Sequence, residues 1–126
     1  MKIRLILTII CLVLSTTIAF AKRAAPSNVS PVISNNYVFK VLHWASENGT
    51  GQNGGYIEVL DAKSGVKVWG LQIYKTNYEQ HLEHDIQDVF ITSIKINFWN
   101  TKLIVTDEMG RQYEVNISDR SVSKTN

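Results

Sequence analysis

From Tyr56 to Ile117 the chain alternates apolar and polar residues in short runs, and each run stops at a turn signal. Trp69, Leu71 and Ile73 share one face of "VKVWGLQIY", with Val68, Gly70 and Gln72 on the other. Tyr113, Val115 and Ile117 alternate in the same way with Gln112, Glu114 and Asn116. A period of two places side chains on opposite faces of a pleated ribbon, whereas an amphipathic helix repeats every three to four residues. No long stretch after residue 21 carries the helical period. These residues therefore read as antiparallel β structure.

The turns support that reading. "YIEVLD" and "VKVWGLQIY" flank "AKSG", in which Asp61 can accept hydrogen bonds from turn amides and Gly65 can close the turn. "KLIVTDEMGRQYEVNI" reads as a second hairpin, with Leu103 and Val105 on one face of its first strand and Gly110 at its turn. "YVFKVLHW", Tyr37–Trp44, is rich in the β-branched and aromatic residues that suit a sheet. "VFITSIKINFW" reads as a long strand with Phe90, Ile94, Ile96 and Phe98 on one face, turned at Asn100–Thr101. "ASENGTGQNGG", Ala45–Gly55, holds four glycines and reads as a flexible loop. The expected fold is all-β: a small antiparallel sheet or sandwich of about six strands built from hairpins.

The ends carry different information. Lys2 and Arg4 precede an apolar run ending in Ala19–Ala21, the pattern of a cleaved secretory signal over residues 1–21. Residues 22–36 hold both prolines and many small polar residues and read as a flexible leader; 37–118 form the β domain; 119–126 read as a disordered tail. Cys11, the single cysteine, leaves with the signal, so neither a disulfide nor a thiol nucleophile is expected in the mature chain. Lys2 and Arg4 also leave while no carboxylate does, which takes the formal charge from +2 to zero. The composition thus offers no basic footprint for nucleic acid. It implies a periplasmic or secreted protein with no stable membrane anchor after cleavage.

The stretch "YIEVLDAKSGVKVW", Tyr56–Trp69, resembles the repeat of PQQ-like quinoprotein β-propellers through Leu60, Asp61, Ala62, Ser64, Gly65 and Trp69. About 45 residues further on, "LIVTDEMGRQYEV" is similar to a second, weaker copy in which Asp107 and Gly110 match and Tyr113 replaces the Trp. The resemblance spans about 60 residues and implies blade-like hairpins. A closed propeller needs at least about four blades, more than this chain can supply. The matching residues serve turns and packing in that family, so the resemblance implies no catalytic residue and no quinone site.

The most polar stretch is "YEQHLEHDIQDVF", residues 78–90, with two histidines and four carboxylates. In a helical turn His81 and His84 share a face and Asp85 lies close to it, a set that could bind zinc. Leu82 stands where a zinc-protease helix would carry Glu, and a solvated crossover between strands explains the same composition. Neither a G-x-S-x-G elbow nor a phosphate-binding loop opening a helix is present in the sequence, and no enzyme activity is expected. The aromatic residues point instead to contact: Trp44, Trp99 and Tyr78 are the candidate interface residues. The resulting expectation is a non-enzymatic exported protein without a cofactor that binds another protein of the envelope or exterior, as an accessory factor or an inhibitor/immunity-type partner. A metal-binding or metal-sensing module on His81, His84 and Asp85 is the alternative, and sugar stacking on exposed tryptophans is a third.

Overall fold

A computed structural model describes residues 23–126, so the expected signal peptide lies outside the described residues. Two four-stranded antiparallel sheets follow one another, each ordered as its strands occur in the chain. The first contains β1 (Val32–Ser34), β2 (Tyr37–Val41), β3 (Tyr56–Asp61) and β4 (Lys67–Gln72). The second contains β5 (Ile91–Ile96), β6 (Lys102–Asp107), β7 (Gln112–Asn116) and β8 (Val122–Lys124). Two one-turn helices, α1 (Ala45–Asn48) and α2 (His84–Gln87), sit in the connections. Among the described residues no helix is long and apolar enough to cross a membrane.

The inward-facing residues of both sheets meet in one core. Phe39, Ile57, Val59 and Trp69 come from the first sheet; Ile91, Ile94, Leu103, Val105 and Val115 come from the second. Burying each such side chain contributes about 1.5–3 kcal/mol. Phe39 meets Trp69 edge-on, with ring centroids 6.3 Å apart. Arg120, in the β7–β8 turn, lies over the Trp69 ring at 5.0 Å and adds a cation–π contact between the sheets.

Eight strands stand where about six were expected. The two additional strands, β1 and β8, lie within segments 22–36 and 119–126, read from sequence as leader and tail. Each is three residues long and has no apolar period of its own. Pairing makes them: Val32 lies opposite Phe39, and Val122 lies opposite Val115. The β1–β2 turn is built by Asn35 and Asn36, both at positive φ (49° and 67°). That backbone suits a two-residue hairpin turn, and asparagine tolerates it better than most residues.

Two bulges change the sheet pattern. In the β3–β4 pair Val59 opposes Trp69 and Leu60 opposes Lys67, which leaves Val68 as an extra residue on β4. In the β5–β6 pair Ile91 opposes Asp107 and Ser93 opposes Thr106, which leaves Thr92 extra on β5. The Thr92 bulge resets the alternation, so Ile91 and Ile94 both point into the core. Phe98, expected on the apolar face, is 87% exposed because the strand ends at Ile96 and the turn begins at Asn97.

The two turns behind the propeller resemblance share an aspartate-centred design. Asp61 Oδ1 accepts from the Lys63 and Ser64 amides at 2.9 and 2.8 Å. Asp107 Oδ1 accepts from the Met109 and Arg111 amides at 2.9 and 3.0 Å. Their hairpins occupy different places: β3–β4 are the third and fourth strands of one sheet, whereas β6–β7 are the second and third of the other.

Candidate functional site

The polar stretch 78–90 connects β4 to β5 and folds back on itself. Gln87 holds it closed. Its Nε2 donates to the carbonyls of Glu79, Leu82 and Glu83, and its Oε1 accepts the Glu79 amide at 2.6 Å. Asp88, only 4% exposed, then fastens the stretch to the body of the molecule. Tyr78 Oη donates to Asp88 Oδ1 at 2.5 Å, and Asn53 Nδ2 donates to Asp88 Oδ2 at 2.9 Å. Burial, reinforced by the hydrogen bond to the Asp88 carboxylate, pushes the Tyr78 phenol up to about 12.

Asn53 belongs to the glycine-rich loop 45–55, which is more ordered than a flexible linker. Its Oδ1 accepts the Ala45 amide at 2.9 Å. Asn48 and Gln52 are buried within the same loop. Asn48 Oδ1 accepts from the Thr50 amide and hydroxyl. Gln52 Nε2 donates to the carbonyls of Gly54 and Tyr74, while its Oε1 accepts the Thr76 amide at 2.9 Å. These amide side chains satisfy backbone groups that the loop would otherwise bury unpaired. Tyr74 closes the same region: its hydroxyl donates to the Val89 carbonyl at 2.6 Å, and burial raises its ionisation well above the usual tyrosine range.

The histidines lie on the outer side of this assembly. His81 is strongly exposed, and its Nε2 lies 3.4 Å from Glu79 Oε2. His84 stacks on Tyr78, with centroids 4.3 Å apart and planes 8° from parallel. Asp85 Oδ1 accepts the amide of Ile86. The structure does not assemble His81, His84 and Asp85 as the spacing suggested, because α2 begins only at His84 and leaves His81 outside its turn. Among the described residues no three His, Cys, Asp or Glu side chains form a group able to hold a metal ion.

The three candidate interface aromatics occupy two regions. Trp44 packs edge-on against Phe90 at 5.6 Å, remains 41% exposed and lines one cleft with Asp88, the hydrogen-bond partner of Tyr78. Trp99 lies at the far end of β5, in the β5–β6 turn, and is 75% exposed. Phe98, read from sequence as a core-facing residue, joins it: the rings meet edge to face with centroids 5.0 Å apart.

The turn that carries this pair is tightly built. Asn97 Oδ1 accepts the amides of Thr101 and Lys102, both at 2.9 Å, and Asn97 Nδ2 donates to Thr101 Oγ1 at 2.9 Å. Asn100 takes positive φ, 55°, and its Oδ1 accepts from Ser34 Oγ at 2.8 Å. The last bond fixes the tip to the β1–β2 turn of the other sheet. The signal that marks Phe98 as a tip residue was the pair of asparagines bracketing it, Asn97 and Asn100.

Fold and surface together define a small all-β protein of two antiparallel sheets with a rigid aromatic tip. No protein-family model matches the chain, and a search of curated proteins gave no significant match.

Proposed function

We propose that this is a small exported protein, periplasmic or secreted, that acts by binding another protein of the envelope or exterior and performs no catalysis itself. The Phe98–Trp99 pair carries the reading. Two large rings, 87% and 75% exposed, stand together on a turn braced by Asn97 and by the Ser34–Asn100 bond. Contiguous exposed aromatic surface is unfavourable in water and characteristic of contact sites. A braced turn loses little conformational freedom on docking, which favours affinity. The N-terminal signal pattern, with Lys2, Arg4 and Ala19–Ala21, supports export. An envelope accessory factor and an inhibitor/immunity-type partner are the two roles that fit a protein of this size.

The test replaces Phe98 with a photoreactive phenylalanine and irradiates the protein in its native envelope fraction. One specific crosslinked protein is expected, and Trp99→Ala should abolish the crosslink while the melting temperature stays unchanged. Failure to recover any specific protein, or retention of the crosslink in the Trp99 variant, would overturn the proposal.

A further inference from the structure

Arg23 lies where three parts of the chain converge on one guanidinium. Its Nη1 donates to the Asp88 carbonyl and, at 3.3 Å, to the Asp85 carbonyl. Its Nη2 donates to Glu108 Oε1 in an ion pair. Its Cζ stands 4.9 Å from the centre of the Phe90 ring. Glu108 is oriented in advance: the Phe90 amide donates to the same Oε1 at 2.9 Å, and the Glu108 amide donates to the Phe90 carbonyl at 2.9 Å. A carboxylate, two carbonyls and an aromatic face around one point match a planar, many-donor cation. A lysine ammonium would keep the charge but lose the stacking and the forked hydrogen bonds.

The residues after Arg23 fit less closely. Ala24, Ala25 and Pro26 have little side chain to offer. A cleft of about 270 Å³ remains between them and Phe90, Ile91, Thr92 and Glu108. A second, of about 150 Å³, remains between the same residues and Trp44, Asp85 and Asp88. The segment is held again at Ser27, whose carbonyl accepts from His43 Nε2 at 3.1 Å. Residues 23–27 therefore form a strap fixed at both ends and underfilled in the middle.

We propose that this groove is a receptor site for an extended, arginine-bearing segment of a partner protein, and that residues 23–27 occupy it in cis until displaced. The arrangement around the guanidinium selects arginine. The unfilled clefts favour an incoming segment whose next side chains are larger than alanine. The site lies at the opposite end of β5 from Phe98 and Trp99, so it stands independently of the aromatic tip.

Arg23→Ala empties the guanidinium position, and the probe is the synthetic peptide Arg-Leu-Leu-Pro-Ser with blocked ends, titrated calorimetrically. The variant should bind it, and the native protein should bind at least about tenfold more weakly because its own strap competes. A peptide with lysine in place of the arginine should bind the variant about tenfold more weakly. Adding Glu108→Gln should remove binding. Should Arg23→Ala fail to fold, Arg23→Lys keeps the charge and should give the same order of affinities. A folded variant that ignores the peptide, or that takes the lysine peptide equally well, overturns the proposal. So does a native dimer that Arg23→Ala turns into a monomer, since the groove would then belong to the leader of a second copy.

Discussion

Asp61 and Asp107 perform the same local task in different surroundings, which makes them a test of how burial sets the value of a turn. The Asp107 side chain is fully buried and accepts three short bonds, from the Met109 amide, the Arg111 amide and, at 2.7 Å, Arg111 Nε, and a longer one from the Tyr113 hydroxyl at 3.4 Å. Asp107→Ala removes the acceptor of those three short bonds and of the weaker Tyr113 bond. At about 1 kcal/mol for each short bond, with little added for the 3.4 Å Tyr113 contact or for the ion pair, whose partly exposed guanidinium rehydrates, the loss is about 3 kcal/mol. For a domain of about 100 residues that lowers the thermal midpoint by about 12–20 °C. Asp107→Asn keeps the Oδ1 acceptor and should lose about 1 kcal/mol. Asp61 also accepts three short bonds, from the Lys63 and Ser64 amides and from Ser64 Oγ. There water replaces the lost acceptor, so Asp61→Ala should shift the midpoint far less. Thermal circular dichroism and urea denaturation of the three variants measure the order directly. Equal shifts for the two alanine variants would refute the argument that burial, rather than hydrogen-bond number, decides the cost.

Glycine positions offer a parallel contrast. A Cβ at Gly54 would stand 2.1 Å from the Val89 carbonyl oxygen, whereas one at Gly49 would meet nothing within 4 Å, although both have positive φ. Gly54→Ala should cost about 2–4 kcal/mol and Gly49→Ala about 1 kcal/mol, read from urea midpoints. Tyr78, held protonated by burial and by its bond to Asp88, should ionise near 12 in a tyrosinate absorbance titration. A raised phenol value means that its contribution to stability is complete below the ordinary value of 10.0 and is lost as pH rises through about 12. Tyr78→Phe should remove that alkaline component and cost about 1 kcal/mol at neutral pH. Zinc should leave the melting temperature unchanged; a rise abolished by combining His81→Ala with His84→Ala would restore the metal reading.

What could be read in the sequence was local. The Asp61–Gly65 and Asp107–Gly110 turns lie within five residues, and the Trp69–Ile73 and Tyr113–Ile117 alternations follow from the pleat. What escaped depends on distant partners. β1 and β8 exist only because Phe39 and Val115 offer backbone to pair with, although Asn35–Asn36 was a turn signal in plain view. The Thr92 bulge put Ile91 on the same face as Ile94, and periodicity alone cannot register an inserted residue; nor can it show that the strand ends at Ile96 and leaves Phe98 outside. Loop 45–55 looked flexible because the groups that order it, the Tyr74 carbonyl and the Thr76 amide, lie about 20 residues away. Arg23 was invisible as an anchor for the same reason: its acceptors are more than 60 residues further along.

The four outermost strands share a consequence for how the molecule behaves in a crowd. β1 and β8 offer a neighbour only three residues to pair with. β4 and β5 are longer, yet each carries its extra residue, Val68 or Thr92, on the border strand itself. A stub too brief to template growth and a ribbon kinked out of register both frustrate recruitment of a further chain. The protein should therefore remain dispersed at high concentration and resist fibril formation, although nearly all of its regular structure is sheet.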